Sequence, residues 1–257
     1  MNRLKGKTVL VTGASAGIGE ACARAFAARG CNLILTARRL ERLSSLGDAL
    51  GKREGVRVRI EALDVRDRNA VDGLGDRLRA DGLVPDILVN NAGLAAGLSR
   101  VFEGDPEDWD RMIDTNVKGL LNVSRSILPM MVERDSGHVI NVGSIAGHVV
   151  YPLGNVYNAT KFAVRALNQA MSIDLVGTGI RVSSIDPGAT ETEFSEVRFR
   201  GDREKARAVY DGFKPLQPED IADAVCYVAG APEHVNVLNM IVMPTAQRSP
   251  YVLHRDE

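Results

Sequence analysis

The sequence predicts an α/β fold in which a doubly wound parallel β-sheet is covered by helices on both faces. Short runs rich in β-branched and apolar residues alternate with longer segments whose apolar residues recur every three or four positions. This alternation is typical of repeated βαβ units, which build parallel sheets. Because no linker, repeat or low-complexity segment divides the chain, we expect a single domain over residues 1–257.

The predicted elements follow one another in a regular order. Strands are expected at residues 8–11, 32–36, 56–62, 87–90, 138–142, 181–185 and 240–243. Helices are expected near residues 18–29, 39–50, 67–81, 107–133, 156–176 and 218–230. Each helix follows a strand, so ligands are expected beyond the carboxyl ends of the strands, as in other doubly wound sheets.

The composition argues against several classes of protein. The chain has 32 Lys and Arg against 33 Asp and Glu, for a formal net charge of -1, so we expect neither a nucleic-acid partner nor an anionic membrane. No apolar run approaches the roughly 18 residues of a membrane span, and no secretory leader is evident at the N-terminus. The cytoplasm is therefore the expected compartment.

The three cysteines, Cys22, Cys31 and Cys226, are isolated in the sequence and lack the spacing of metal ligands. An odd number of scattered cysteines is typical of buried thiols in a reducing compartment. We therefore expect neither a disulfide framework nor a metal site.

The first chemical motif is TGASAGIG at residues 12–19, between a predicted strand and a predicted helix. Gly13, Gly17 and Gly19 would allow a tight turn, a close approach to a pyrophosphate and packing of the helix on the sheet. The helix N-terminus would face the anion. Because the spacing differs from the usual GxGxxG pattern, glycines that serve only turn geometry remain an alternative.

Two arginines follow the second predicted strand, at the position where NAD-binding proteins place an acid for the ribose 2′-hydroxyl. Arg38 and Arg39 stand there, and no acid precedes Glu41. Cations oppose the dipole at a helix start, whereas a bound 2′-phosphate would pair with both guanidinium groups. A solvated basic turn is the alternative, and NADP(H) rather than NAD(H) is the predicted cofactor.

Two polar motifs follow the third and fourth predicted strands. In LDVRD, Asp64 is placed to meet an adenine edge, and NNAG at residues 90–93 is placed to line the cofactor cleft. Each motif has an alternative explanation as a turn or a helix cap, because Asn, Asp and Gly are common in both.

Together these motifs resemble the short-chain dehydrogenases/reductases. The match continues through Asn116 in IDTNVKG, Ser144 in VGSIAG, Tyr157 and Lys161 in YNATK, and the pair Pro187-Gly188. The resemblance implies a single Rossmann-type domain, a nicotinamide cofactor and a catalytic tetrad of these four residues, Asn116, Ser144, Tyr157 and Lys161. The cofactor contacts that it implies are Gly13, Ser15, Ala16, Gly17, Ile18, Gly19, Arg38, Arg39, Asp64, Val65, Asn90, Ala92, Gly93, Tyr157, Lys161, Pro187, Gly188, Thr190 and Thr192.

The residue types of the tetrad suit carbonyl reduction. Tyr157 and Lys161 are four apart, so they share a helical face, and a nearby ammonium favours the phenolate form of a tyrosine. The Tyr157 phenol would donate a proton to the developing alkoxide, and Ser144 would hydrogen-bond the substrate oxygen. By resemblance, Lys161 also holds ribose hydroxyls and Asn116 keeps a water in a proton relay. For Asn116, satisfying backbone groups at a helix irregularity is the alternative.

A substrate lid is expected near residues 189–214. The resemblance places Thr190 or Thr192 near the nicotinamide carboxamide and leaves open which of the two. A lid over an anionic substrate needs a cation, and Arg198 is the candidate, with Arg200 in reserve. A structural salt bridge is the alternative, because the acids Glu193, Glu196 and Asp202 are close enough in sequence to neutralise either arginine.

A closer resemblance covers nearly the whole chain and extends to GNVYNATK, TEFSEVRFRGD, PEDIADAV and HVNVLNMIVMPTAQRSP. These segments look like the NADP-dependent 3-hydroxy acid dehydrogenases, which also oxidise serine and allo-threonine. The likeness implies a homotetramer that oxidises short 3-hydroxy acids such as 3-hydroxyisobutyrate or reduces semialdehydes such as malonic semialdehyde. Alternatives are a reductase of sulfoacetaldehyde or another short-chain carbonyl, a 3-oxoacyl thioester reductase and a non-catalytic NADP(H) sensor. The tail RSPYVLHRDE is expected either in solvent or, through its residues 251–253, on a neighbouring subunit.

Overall fold

A computed structural model describes residues 2–256 of the chain. Within these residues a seven-stranded, entirely parallel sheet has the order β3-β2-β1-β4-β5-β6-β7. The strands are β1 (Thr8–Thr12), β2 (Asn32–Ala37), β3 (Val58–Ala62), β4 (Ile87–Asn90), β5 (Gly137–Val142), β6 (Ile180–Pro187) and β7 (Asn239–Val242). The order reverses direction between β1 and β4, which is where doubly wound folds bind their ligands.

Helices cover both faces of this sheet. They are α1 (Gly17–Ala28), α2 (Leu40–Glu54), α3 (Arg68–Ala80), α4 (Pro106–Ile113), α5 (Leu120–Arg134), α6 (Asn155–Asp174), α7 (Glu193–Arg198), α8 (Arg203–Ala208) and α9 (Pro218–Ala229). On one face, α1, α2 and α9 enclose a core that includes Val9 and Phe26. On the other, α3, α5 and α6 enclose a core that includes Leu10 and Ile127. The strand residues alternate between the two cores, as expected for a sheet buried on both sides.

The predicted fold class is confirmed, and the seven strands lie within about two residues of their predicted bounds. The main difference concerns the helix predicted at residues 107–133. It is interrupted by a π-helical turn, Asp114–Gly119, that separates α4 from α5. The apolar spacing continues through this turn, so periodicity alone could not reveal it.

Two short helices occur in the charged segment that was expected to be a lid loop. Thr192 begins α7, with its hydroxyl accepting a hydrogen bond from the Phe194 amide, and Asp202 begins α8 by accepting one from the Lys205 amide. Side-chain caps of this kind stabilise helix starts that have little apolar periodicity. The segment is therefore more ordered than its composition predicted.

A chain of buried amides fixes α6 against the sheet. Asn90 on β4 donates to Asn141 on β5, which donates to Asn168 on α6, and Asn168 donates to the Leu238 carbonyl. All three asparagines are buried, where an unpaired amide would cost free energy. This series of amide hydrogen bonds therefore sets the position of α6, and with it the position of the residues at the start of this helix.

No helix within residues 2–256 combines the length and the apolar composition that crossing a bilayer requires.

Candidate active site

A cleft of about 560 Å3 opens at the carboxyl ends of the strands. Its walls come from the loops after β1, β2, β3, β4, β5 and β6, together with α7 and the C-terminal tail. Of the predicted site residues, those that line it are Gly13, Ser15, Ala16, Gly17, Ile18, Arg38, Arg39, Asp64, Val65, Ala92, Gly93, Ser144, Tyr157, Lys161, Pro187, Gly188, Thr190, Thr192 and Arg198. The fold thus brings residues that are distant in sequence into one concave site.

The glycine loop after β1 has the geometry of an anion site. Gly13 and Gly17 have φ values of 67° and 54°, a left-handed conformation that favours glycine. A Cβ on Gly19 would lie 2.4 Å from the Gly13 carbonyl oxygen, so this glycine serves packing behind the loop rather than lining the cleft. Because no side chain caps α1 at Ala16, the first amides of the helix remain available to a pyrophosphate.

Basic residues after β2 flank this loop. Arg39 Nε donates to the Ser15 hydroxyl at 3.2 Å, and its Nη1 lies 2.7 Å from Glu193 of α7. Arg42, which does not line the cleft, pairs with the same carboxylate at 2.5 Å. Burial alone would raise the pKa of the Glu193 carboxyl, but the hydrogen bonds from Arg42 and Arg39 hold it below its ordinary value. Arg38 lines the same wall, so two arginines, Arg38 and Arg39, line the cleft after β2.

The polar motifs after β3 and β4 divide between the cleft and the interior. Asp64 lines the cleft, but its carboxylate is held by Arg66 at 2.6 Å, and this hydrogen bond keeps the Asp64 pKa below its ordinary value. The Asn90 side chain points into the amide chain under the sheet and does not reach the cleft. Its neighbour Asn91 does reach it, and donates to the Thr12 and Gly13 carbonyls at 2.9 and 3.3 Å.

Ser144 and Tyr157 meet on the wall after β5. The Ser144 Oγ accepts a hydrogen bond from the Ala146 amide at 3.1 Å, which leaves its own hydrogen free to donate. Burial raises the pKa of the Tyr157 phenol, whereas the Arg198 charge and a hydrogen bond from Ser144 act to lower it. Burial therefore favours the protonated phenol, and the Tyr157 and Ser144 side chains line the same part of the cleft.

Lys161 lies one helical turn after Tyr157 and is 8% exposed. Its Nζ donates to the Val142 carbonyl at 2.9 Å and lies 5.9 Å from the centre of the Tyr157 ring. Burial lowers the pKa of Lys161 to about 8, and Asp186 acts in the opposite direction. The predicted Tyr-Lys pair therefore shares one wall of the cleft.

Asn116 lies in the π-helical turn and is buried behind this wall. Its side chain accepts from the Leu94 amide and donates to the Leu94 carbonyl, both at 2.8 Å, and it also donates to the Thr160 hydroxyl at 3.0 Å. The amide group thus ties the π-helical turn to the backbone of Leu94, in the loop after β4, and to Thr160 on α6, and its proton-relay role stays a prediction. It does not itself line the cleft.

Arg198 extends from α7 over the Tyr157 ring, with 5.0 Å between the guanidinium carbon and the ring centre. Its Nη2 donates to the Tyr151 hydroxyl at 2.7 Å, and within residues 2–256 its Nε has no hydrogen-bond partner and no acid pairs with the guanidinium. Burial raises the pKa of Tyr151 to about 12, against the lowering effect of Arg198. The guanidinium is thus fixed in place by a neutral phenol.

The reserve candidate, Arg200, is placed elsewhere. It pairs with Asp105 and Asp108 at 2.7 and 2.8 Å and does not line the cleft. The three acids expected to neutralise one of these arginines bind other cations instead: Glu193 pairs with Arg39 and Arg42, Glu196 with Arg203, and Asp202 with Lys205. The structural salt bridge that the sequence left as an alternative is therefore made by Arg200, with acids distant in sequence, and not by Arg198 among the described residues.

The loop after β6 completes the base of the cleft. Thr190 and Thr192 both line it, with the Thr190 hydroxyl donating to the Gly188 carbonyl at 3.1 Å and the Thr192 hydroxyl capping α7. Gln247, which the sequence did not single out, accepts from the Ala189 amide at 2.9 Å. The C-terminal segment therefore supports this loop from below.

The tail left open by the sequence folds onto its own subunit. Arg255 donates to the carbonyls of Val209 and Asp211 and lies over the Phe213 ring at 5.2 Å. Further cleft residues that the sequence did not indicate as site residues include Tyr151, Phe194, Val197, Tyr210, Phe213, Pro250, Leu253 and Arg255. An aromatic residue six positions before Tyr157 could have drawn attention to Tyr151, but the tail contacts have no local signal.

The residues fit a dinucleotide on structural grounds, through the glycine cradle, the uncapped helix start and the basic wall. No group of three or more His, Cys, Asp or Glu side chains in the described part of the chain could hold a metal ion.

Comparison with known proteins agrees with this geometry. A family model described as short chain dehydrogenase matches residues 7–202. A Salmonella typhi protein named NADP-dependent 3-hydroxy acid dehydrogenase is 50% identical over 240 residues, which cover 93% of this chain and 95% of the relative. Sulfoacetaldehyde reductase 2 from Chromohalobacter salexigens is 46% identical over 250 residues, with 96% and 98% covered.

Solved structures give the same result. The closed form of a serine dehydrogenase complexed with NADP+ superimposes with a TM-score of 0.91 at 47% identity, covering 96% of this chain and 99% of that one.

We predict that Arg39→Ala will weaken NADPH binding about 10-fold, because a hydrogen-bonded charge contributes on the order of 1.5 kcal/mol or more. NADH, which lacks the 2′-phosphate, should bind as before. Fluorescence titration of both nucleotides measures the two dissociation constants. Arg42→Ala is the matched control, since Arg42 pairs with Glu193 outside the cleft. Equal losses of NADPH and NADH affinity in Arg39→Ala would contradict the assignment.

Proposed function

The chain belongs to the short-chain dehydrogenase family and is an NADP-dependent oxidoreductase, and from this premise we propose that its substrates are short 3-hydroxy acids and the corresponding semialdehydes. Serine, allo-threonine, 3-hydroxyisobutyrate and malonic semialdehyde are the candidates. The hydride moves between the nicotinamide and the carbon that bears the β-hydroxyl or aldehyde oxygen.

The observation that supports this substrate class is Arg198. A guanidinium held over the Tyr157 ring, without an acidic partner among residues 2–256, is a ready site for a substrate anion. The hydrogen bond to the Tyr151 hydroxyl fixes the guanidinium of Arg198, so this side chain loses little conformational entropy when a substrate anion binds. The carboxylate of a short substrate would bind there while its oxygen reaches Tyr157.

The proton steps follow from the geometry of the four polar residues. Tyr157 donates its phenolic proton to the substrate oxygen during reduction and takes it back during oxidation. The Ser144 hydroxyl, which accepts a hydrogen bond from the Ala146 amide, would donate its own hydrogen to the same oxygen. We propose that Lys161 stabilises the phenolate that forms and that Asn116, which is hydrogen-bonded to Thr160 next to Lys161, keeps a water in a proton relay from Lys161.

NADP(H) supplies the hydride when it is bound. We propose that the glycine loop and the start of α1 hold its pyrophosphate and that Arg38, Arg39 and Ser15 hold its 2′-phosphate. Asp64 and Val65 would line the adenine site, Lys161 would bind ribose hydroxyls, and the loop at residues 187–192 would hold the nicotinamide half.

The segment at residues 189–214 would act as the lid. It contains α7 and α8, and it is joined to the base of the cleft by Tyr210, whose hydroxyl donates to the Thr190 carbonyl at 2.9 Å. Leu253 and Arg255 of the C-terminal tail also line the cleft and narrow its opening. A narrow opening favours a small substrate over a carrier-bound thioester.

A sulfonate is the second candidate anion. It would bind Arg198 as a carboxylate does, and one relative at 46% identity is named a sulfoacetaldehyde reductase.

Two features favour a homotetramer in the reducing cytoplasm. Apolar side chains are exposed on two separate surfaces, at Ile173 on α6 (72%) and at Ile241 on the edge strand β7 (45%), and two different isologous interfaces build a tetramer. The three cysteines are buried free thiols, which suits a reducing compartment.

We expect turnover with NADP(H) on 3-hydroxy acids or malonic semialdehyde, and a rise of about 100-fold in KM for Arg198→Met, because a bidentate ion pair is lost. Nicotinamide absorbance is followed with each hydroxy acid, sulfoacetaldehyde and an acetoacetyl thioester. Arg203→Met, at an exposed arginine outside the cleft, is the control. Preferred turnover of the thioester, or none on any compound, would reject the proposal and favour the thioester reductase or the sensor.

Tyr157→Phe should reduce turnover by about 100-fold or more, because the proton donor is lost, while NADPH binding stays nearly intact. Lys161→Ala should damage both, since Lys161 serves the proton step and the ribose. Steady-state rates and NADPH titrations distinguish the two variants. A fully active Tyr157→Phe enzyme would overturn the assignment.

Light scattering should give a mass about four times the 27.7 kDa of the chain. Ile173→Lys and Ile241→Lys should each give a dimer, because each interrupts one of the two apolar surfaces. A wild-type mass of one chain would rule out the tetramer.

A further inference from the structure

A buried carboxylate lies behind the cleft and takes no part in the steps described above. Asp186 on β6 is 1% exposed. Its Oδ1 accepts a hydrogen bond from the Ser184 hydroxyl at 2.5 Å, and its Oδ2 accepts one from the Asn239 amide and lies 2.5 Å from His148 Nε2. Within residues 2–256, no Lys or Arg side chain is paired with it. Three donors on two oxygens suit the ionised form, so a negative charge is held here without a guanidinium or ammonium in contact.

This carboxylate packs directly on the backbone that carries Ser144. A Cβ at Gly143 would lie 1.9 Å from Asp186 Oδ1, so only a glycine fits between them. The Gly143 amide also donates to the Ile185 carbonyl at 2.8 Å. The position of Asp186 therefore fixes the peptide that precedes Ser144.

The same backbone segment holds Lys161 from the other side. Lys161 Nζ donates to the carbonyl of Val142, the residue before Gly143, and no carboxylate contacts this ammonium in the described chain. A buried cation with only a carbonyl ligand needs a nearby opposite charge, because desolvation penalises its charged form. Burial lowers the pKa of Lys161 to about 8, and Asp186 is the group that opposes this effect.

We propose that Asp186 is the counter-ion of Lys161 and a positioning residue of the active site, with its carboxylate held in place by Ser184, Asn239 and His148. The inference rests on the proposed function, in that it assumes Lys161 binds the cofactor ribose and takes part in proton transfer. The other ionisable groups that face this cluster are Tyr157, on the same helix as Lys161, and Arg198 from α7.

The sign of the pH effect follows from the charge on Lys161. Below about pH 8 the ammonium is present and should support NADPH binding, and above that value it is progressively lost. Removing the Asp186 charge destabilises the ammonium, so the loss of binding should begin at lower pH.

The test is the pH dependence of the NADPH dissociation constant, measured by fluorescence titration between pH 6 and 10 for the whole protein. For Asp186→Asn we expect the decline in affinity to begin about one pH unit lower than in the wild type, which gives about five-fold weaker binding at pH 8 and equal binding at pH 6. Ser184→Ala is the control: it removes one donor to Asp186 but keeps the charge, so the decline should stay at the wild-type pH. A loss of affinity that is the same at every pH would mean a packing role alone and would overturn the counter-ion assignment.

A second pair of variants leaves Asp186 in place and decides the question if Asp186→Asn does not fold. His148→Arg puts a permanent cation beside the carboxylate and should move the decline to lower pH, whereas His148→Gln puts an uncharged donor there and should not. A wild-type profile in His148→Arg would overturn the inference. Because the measurement needs no substrate, failure of all 3-hydroxy acids to react would reject the proposed substrates without affecting this result.

Discussion

The hydrogen bond from the Lys161 ammonium to the Val142 carbonyl joins the two elements that build the chemical half of the cleft. Helix α6 brings Tyr157 and Lys161, while the end of β5 leads directly into Ser144. The amide chain under the sheet keeps α6 at the height where this bond can form. Because Lys161 is buried, the bond satisfies one of its donors and places its charge beside the phenol.

The arginines around the cleft differ in what they are paired with, and this difference separates structural from functional roles. Arg200 is paired with two acids, and Arg66 is paired with Asp64. Such pairs at the surface contribute little free energy but fix local geometry. Within residues 2–256 the Arg198 guanidinium instead contacts aromatic rings and a phenol and no acid, so its charge is available to a ligand.

Helix α7 connects the two ends of the cleft. Its first residue, Glu193, is held by Arg39 and Arg42 beside the 2′-phosphate wall, and its last, Arg198, lies over Tyr157. Helix α7 therefore joins the wall that contains Arg39 to the aromatic group under Arg198 through six residues.

The sequence by itself determined the order of strands and helices, the glycine loop, the basic wall after β2 and the Tyr-Lys pair, because each depends on local periodicity or on a fixed short spacing. It did not reveal the π-helical turn that holds Asn116, since apolar spacing continues through it. Tertiary structure alone decided that Arg198 rather than Arg200 faces Tyr157, that Asn91 rather than Asn90 reaches the cleft, and that the tail closes its own subunit's mouth. It also placed Asp186 against Gly143 and beside His148. The reason is common to all of these: each depends on contacts between residues distant in the chain, which the packing of α6, α7 and the tail onto the sheet creates.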